Sequence, residues 1–328
     1  MKKKLIGLFI ILLVISCLFA QGSNEQIFNE FWNTLETEYP YFNETNLSEY
    51  KEENLEKVRK ANSKEELMLI LRGIANRYMA YDYIAISEDP SSDSDSIKAP
   101  RVDYIEQNKT VVFTISSLSP SVFTEIFIED SLDSVEGEIE NIIFDFSNCK
   151  SGPTDDEIYS FIYPFGGTWE FSYRTYFRSL KKAKSYYSEH EIKNINTLTN
   201  VPEKVKKLNL EAYCDLSQKF ECNDGSLKKE IRDAKRWILV GENTLYEADL
   251  IAYFASQTGW ATVIGTKTNG SGLGLSKIRK NLSNSGIIMS YNTAIAERKV
   301  ISGGTVPNII AKDGKTAFAT CLELIGKN

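Results

Sequence analysis

From residue 110 onward the chain repeats one pattern, a short apolar run of strand length followed by a helix-like segment, and that alternation leaves few folds open. Thr110 to Ile115 is rich in β-branched residues, Ser121 to Val135 is helix-like, and Ile139 to Phe146 is largely apolar. Arg236 to Val240 and Thr262 to Gly265 are further apolar runs on either side of a helical stretch from Glu247 to Gln257, and Gly286 to Ile295 reads as a strand or a strand pair. Strands without polar alternation need cover on both faces, and the helices between them supply it. The expected fold is therefore α/β with a mainly parallel sheet. The N-terminal part has a different texture: Phe28, Phe31, Trp32 and Leu35 recur at helical spacing, and Ser63 with Glu66 forms a capping box before Leu67, Leu69, Ile70, Leu71 and Ile74. The organisation expected is a small helical subdomain over 24–88, a Ser/Asp/Pro-rich linker over 89–100, and an α/β domain over 101–325 with an insertion at about 166–233. Within that insertion the Lys/Tyr-rich stretch from Tyr173 to Lys207 is read as solvated.

With 328 residues, 42% of them hydrophobic, the chain has material for a large core, and disorder is not the expectation. A formal net charge of −7 argues against nucleic acid or an anionic membrane surface as partner, because positive fields find those. Lys2, Lys3 and Lys4 precede an apolar run, Leu5 to Phe19, that is short for a bilayer span, so residues 1–20 read as an export signal. Its end admits two readings. Val14-Ile15-Ser16-Cys17 resembles a lipobox that would lipidate Cys17, whereas Leu18-Phe19-Ala20 resembles an ordinary cleavage site before Gln21. Both put the mature protein outside the cytoplasm, periplasmic or held to the membrane by a lipid; the remaining reading is a retained membrane anchor. Export permits disulfides, and Cys214 and Cys222 flank a polar segment that a bridge would close as a small loop. The other reading leaves these two, with Cys149 and Cys321, as buried or free thiols. The single histidine, His190, sits in a polar run, and a zinc site wants several converging N or S ligands, so no metal or other cofactor is expected.

Three segments follow strand ends, where open α/β sheets place ligands. They are Ile142 to Gly152, Ile238 to Ala252 and Val263 to Gly274. In order and spacing they resemble the tail-specific (C-terminal-processing) serine peptidases, whose core also occurs in the tricorn protease. Asp145 to Gly152 is similar to the family's D-L-R-G-N-P-G-G, and Val240 to Leu250 to its nucleophile segment V-N-x-x-[ST]-A-S-A-x-E-[IL]. Gly265 to Gly272 is similar to G-x-x-T-x-G-K-G, and Gly304 to Ile309 to G-V-x-P-D-I. The resemblance covers about residues 26–325, shows no separate PDZ module, and implies a ClpP/crotonase-like layered core and a peptide or unfolded protein segment as partner.

The departures from the family decide what the resemblance implies about activity. Setting Asp249 on the family's glutamate puts the nucleophile position at Tyr246, and setting Gly270 and Gly272 on G-K-G puts the lysine base position at Ser271. Tricorn-like members use a histidine base, but the corresponding stretch, Met79-Ala80-Tyr81-Asp82-Tyr83, has none. A phenol with an ordinary pKa near 10 is a poor acyl-transfer nucleophile, and a serine cannot take its proton. The family's oxyanion donors would fall on the amides of Gly152 and Glu247, able to grip a peptide carbonyl or a C-terminal carboxylate. The expectation is an envelope homologue that binds peptide or protein and does not cleave it. One alternative is an active serine-type peptidase using Thr244, Ser147 or Ser271 as nucleophile and Lys150 or Lys267 as base. Another is an unrelated α/β binding protein in which these motifs are ordinary strand-turn-helix chemistry.

Overall fold

The computed structural model describes residues 24–40, 42, 50–78, 84–88, 99–119, 124–151, 156–187, 195–197, 203–208, 210–272, 275, 277–311 and 316–327, with the backbone alone at 150–151 and 156–157. In chain order the elements are α1 (24–38), α2 (Lys51–Arg59), α3 (Lys64–Tyr78), β1 (Ala85–Ser87), β2 (Arg101–Ile105), β3 (Thr110–Thr114), α4 (Glu125–Asp133), β4 (Asn141–Asp145), β5 (Lys150–Ser151), α5 (Asp156–Ile162), β6 (Thr168–Phe177), α6 (Leu180–Tyr186), β7 (Ile195–Thr197), α7 (Glu203–Lys206) and β8 (Ala212–Glu221). They continue with α8 (Lys229–Arg232), β9 (Lys235–Val240), β10 (Leu245–Tyr246), α9 (Glu247–Thr258), β11 (Thr262–Gly265), β12 (Ile278–Leu282), β13 (Ile287–Tyr291), β14 (Ala294–Ala296), α10 (Glu297–Ser302), β15 (Ile309–Ile310) and α11 (Ala317–Ile325). Contacts divide the chain into two compact units, one of residues 1–94, 205–210 and 277–293, the other of 95–204, 211–276 and 294–328.

The first unit packs α1 to α3 with a three-stranded antiparallel sheet, β1-β13-β12. The forward half of the capping box forms, with Glu66 N–H donating to Ser63 Oγ at 3.1 Å, while the Glu66 carboxylate reaches past the cap residue and accepts from Asn62 N–H at 2.8 Å. Phe28, Phe31, Trp32 and Leu35 form a buried stripe. The hairpin of β12 and β13 belongs to this unit, although its position in the sequence assigns it to the α/β domain. Polar bonds fasten it to α1: the Tyr291 hydroxyl donates to Glu38 at 2.6 Å, and the Ser283 hydroxyl to Glu30 at 2.8 Å.

The second unit is built on a six-stranded sheet in the order β15-β11-β9-β4-β3-β2, parallel throughout except for the antiparallel edge strand β2. Successive side chains enter different cores. Val111, Phe113, Ile142, Phe144, Ile238 and Val240 pack with α4, α5 and α9 on one face, while Val112, Ile143, Trp237, Leu239 and Ile264 pack with Cys321 and Ile325 of α11 on the other. The apolar runs are therefore continuous because both faces are covered. Phe144 lies at the centre of an aromatic cluster, 4.6 Å from Phe161 and 5.2 Å from Phe113 between ring centroids.

The insertion differs from its sequence reading. It contributes β6, β7 and β8 to a four-stranded antiparallel sheet, β14-β6-β8-β7, in which β6 and β8 pair over their full length. One face sends Phe171, Tyr173 and Phe220 into the main core. The other carries cross-strand polar pairs, Ser172 with Ser217 at 3.1 Å and Arg174 with Asp215 at 2.6 Å. Composition hides this half-buried sheet because the lysines, serines and acids all occupy its outer face, and the apolar residues alternate between them.

The Cys214–Cys222 bridge is corrected for the same reason. Residues 215–221 form a strand and not a loop, so the two cysteines stand at opposite ends of β8. Eight residues at about 3.3 Å each separate their Cα atoms by roughly 26 Å, against the 4.4–6.8 Å a disulfide needs. Cys149, Cys214, Cys222 and Cys321 are all buried and none is joined in a disulfide, and burial pushes the Cys321 thiol up to about 12. These four thiols are expected to resist a disulfide-exchange reagent in the native protein and to react together once denaturant is added; a mass showing a 214–222 bridge would contradict the fold of β8.

Candidate functional site

Parallel neighbours end on the same side, so β4, β9 and β11 deliver their following turns to one place. Backbone bonds knit those turns: Phe146 N–H donates to Leu239 O at 2.9 Å, Leu245 N–H to Cys149 O at 3.0 Å, and Asn269 N–H to Thr244 O at 3.5 Å. The short strands β5 and β10 pair in parallel, with Tyr246 opposite Ser151. Thr244 is fully buried beneath them. Its hydroxyl donates to Phe146 O at 2.8 Å and accepts from Gly241 N–H at 2.9 Å, holding the β4 and β9 turns together.

Tyr246 ends β10 and caps α9 with φ 53° and ψ −127°. For a residue with a Cβ this is a strained conformation, of the kind that sharp strand-to-helix turns use to present a side chain. Its N–H donates to Ser271 Oγ at 3.0 Å, so the two residues that stand for the nucleophile and the base in the sequence comparison meet here. Glu247 opens the helix with its side chain buried, and its amide belongs to the first turn, where N–H groups have no intrahelical acceptor.

Below this turn lies a feature the motifs alone did not reveal. Asp249 is 0% exposed and Arg298 is 5% exposed at the side chain, and they form an ion pair. Arg298 donates to Asp249 Oδ2 from Nε at 2.9 Å and from Nη2, and the same Nη2 also reaches the Gly272 carbonyl. Asp249 further accepts from Thr268 Oγ1 at 2.6 Å, Thr305 Oγ1 at 2.7 Å and Gly272 N–H at 3.1 Å. One carboxylate on α9 thus holds the Thr268 to Gly272 loop and the segment after α10. Gly272 is required here, because a Cβ on it would strike the Tyr246 carbonyl. The hint in the sequence was an acid enclosed by Ala248, Leu250, Ile251 and Ala252, since a buried charge needs a partner. Nothing local said that the partner was Arg298.

The other candidates are dispersed. Ser147 is half-buried and donates its N–H to Asp145 Oδ1 at 2.9 Å, and Lys267 is exposed. Lys150 is described only as backbone in β5, and Gly152, Cys17, His190 and residues 79–83 lie outside the described residues. Among the described residues no group of three or more His, Cys, Asp or Glu side chains is arranged to hold a metal ion, and no helix is long and apolar enough to cross a membrane.

Removing one member of a buried ion pair leaves the other charge uncompensated, at a cost of about 3–5 kcal/mol. Arg298→Met is expected to lower stability to urea by that amount. Adding Asp249→Asn is expected to recover part of it, because a neutral amide still serves the threonine hydroxyls; a loss from Arg298→Met of only a few tenths of a kcal/mol would mean the pair does not hold the loop.

A scan against protein-family models gave no match, and a search of curated proteins gave none. Among solved structures the chain is similar to a candidate peptidase from Parabacteroides merdae, at 13% identity and TM-score 0.59, over 92% of this chain and 96% of that one. It is also similar to a lipoprotein from Streptococcus agalactiae, at 14% identity and TM-score 0.52, over 93% and 96%. The photosystem II D1 C-terminal processing protease stands further off, at 9% identity and TM-score 0.44, over 88% and 93%. The chain carries the fold of the first two proteins along nearly its whole length.

Proposed function

We propose that this chain is a homologue of the tail-specific serine peptidases, on their ClpP/crotonase-like layered core, that binds peptides or unfolded protein segments at the cell envelope without cleaving them. One observation carries the reading: the strained strand-to-helix turn is formed, yet Tyr246 occupies it and the group facing its amide is the Ser271 hydroxyl. Acyl transfer needs a small nucleophile at such a turn and a base within hydrogen-bond reach. Tyr246 brings a phenol. Ser271 is no base at neutral pH, and its oxygen already accepts the Tyr246 N–H. Thr244 is no substitute nucleophile, since its hydroxyl is fully buried and spent on a main-chain carbonyl.

What survives is binding chemistry. The Glu247 amide at the start of α9 suits a peptide carbonyl or a C-terminal carboxylate, and Gly152 would supply the second donor. Strain of this kind costs about 1–3 kcal/mol and lasts where the surroundings over-determine it. The packed loop around Gly272 does so. Peptide handling agrees with the fold likeness to the Parabacteroides merdae protein, and the N-terminal signal with Cys17 agrees with the likeness to a lipoprotein. The mature protein would be periplasmic or lipid-anchored.

Purified mature protein is expected neither to hydrolyse casein nor to be labelled by a serine-reactive phosphonate; labelling of the unaltered chain would overturn the reading. Tyr246→Ser combined with Ser271→Lys is expected to create measurable turnover, and either change alone far less, because nucleophile and base act as a unit.

A further inference from the structure

The loop that carries Ser271 runs outward into a basic surface. Lys299 Nζ donates to the Asn269 side-chain oxygen, and Lys204 Nζ donates to the Ile301 carbonyl at 2.6 Å. Lys267 Nζ lies against Gly303, 2.9 Å from where a Cβ would stand. Three amines therefore gather around one turn, residues 299–304. That turn touches the Ser271 loop directly, since a Cβ on Gly270 would come within 2.5 Å of the Gly304 Cα. Ile301, within this turn, and Val306, two residues beyond it, are 43% and 52% exposed.

Two facts make the patch unusual for this chain. Acids outnumber bases by 45 to 38, yet among the described residues no ion pair joins Lys204 or Lys267 to a carboxylate. Capping the carbonyl end of α10 accounts for Lys204, which reaches Ile301 O, and Lys299 is bonded to Asn269, but neither bond needs the exposed Lys267 or the exposed aliphatic side chains.

We propose that this patch extends the candidate site and selects peptide segments that carry carboxylates next to apolar side chains. The proposal rests on the peptide-binding reading above and adds the ligand's charge. Amines bonded to or lying against one turn and the loop beside it present a positive field to an approaching acidic segment, and salt screens that field. Ile301 and Val306 give its apolar side chains a surface to cover.

The test uses fluorescence anisotropy of the mature protein with two labelled peptides that share their apolar residues, one bearing glutamates and the other lysines at the same places. The acidic peptide is expected to bind about tenfold more tightly at low salt. That preference should shrink as ionic strength rises and vanish in the variant Lys204→Glu, Lys267→Glu, Lys299→Glu. Should that triple variant fold poorly, Lys267→Gln alone, a change at an exposed side chain, is expected to remove part of the preference. Equal binding of both peptides, or a preference that survives the lysine changes, would overturn this inference and leave peptide binding standing. Failure of both peptides to bind would overturn the two readings together. Self-association of the protein that the lysine changes abolish would assign the patch to a second copy of the chain and equally defeat the proposal.

Discussion

The carboxylate of Asp249 is the point on which the arrangement of the site depends. It sits on α9 with no exposure, and its hydrogen bonds join the helix to the Thr268 to Gly272 loop, to Arg298 of α10 and to Thr305 beyond it. A buried charge is stable only when fully met, and here Arg298, two threonine hydroxyls and a backbone amide meet it. That demand orders the Thr268 to Gly272 loop and so fixes where Ser271 stands relative to Tyr246. Apolar packing positions the helix. The ion pair positions the loop.

The sheet supplies the rest of the precision. Parallel register aligns the ends of β4, β9 and β11, and the Thr244 hydroxyl ties the first two turns beneath the surface. In that frame Tyr246 cannot relax from its positive φ without breaking the β5–β10 pairing or lifting α9 from a core that includes Phe254 and Trp260. The fold thus maintains a costly turn with a residue unsuited to acyl transfer. The proposed binding role would account for that combination, because the amides at the helix start depend on backbone geometry and not on which side chain the turn carries.

Local patterns made much of this readable. The apolar runs of β3, β4, β9 and β11 stand out because each strand is covered twice, and the Ser63–Glu66 box marks a helix start because its bonds lie within four residues. Failure came where partners are remote. The alternation in β8 is hidden under polar composition, and by composition the same segment reads as a loop that a disulfide would close. The hairpin of β12 and β13 gives no sequence sign that it packs on α1, because its bonds to Glu30 and Glu38 cross some 250 residues, the Ser283 and Tyr291 contacts each spanning 253.

Alone, the sequence determined the α/β class, the order of the three strand-end turns, and which residues those turns carry, since all of these are properties of short segments. Only the tertiary structure decided that Tyr246 holds the strained conformation, that Ser271 receives its amide, that Arg298 answers Asp249, and that three lysines meet at one turn. Period and spacing encode how a segment folds against a surface. Which charges and hydroxyls come within 3 Å of one another is set by how distant segments cross, and no local pattern carries that information.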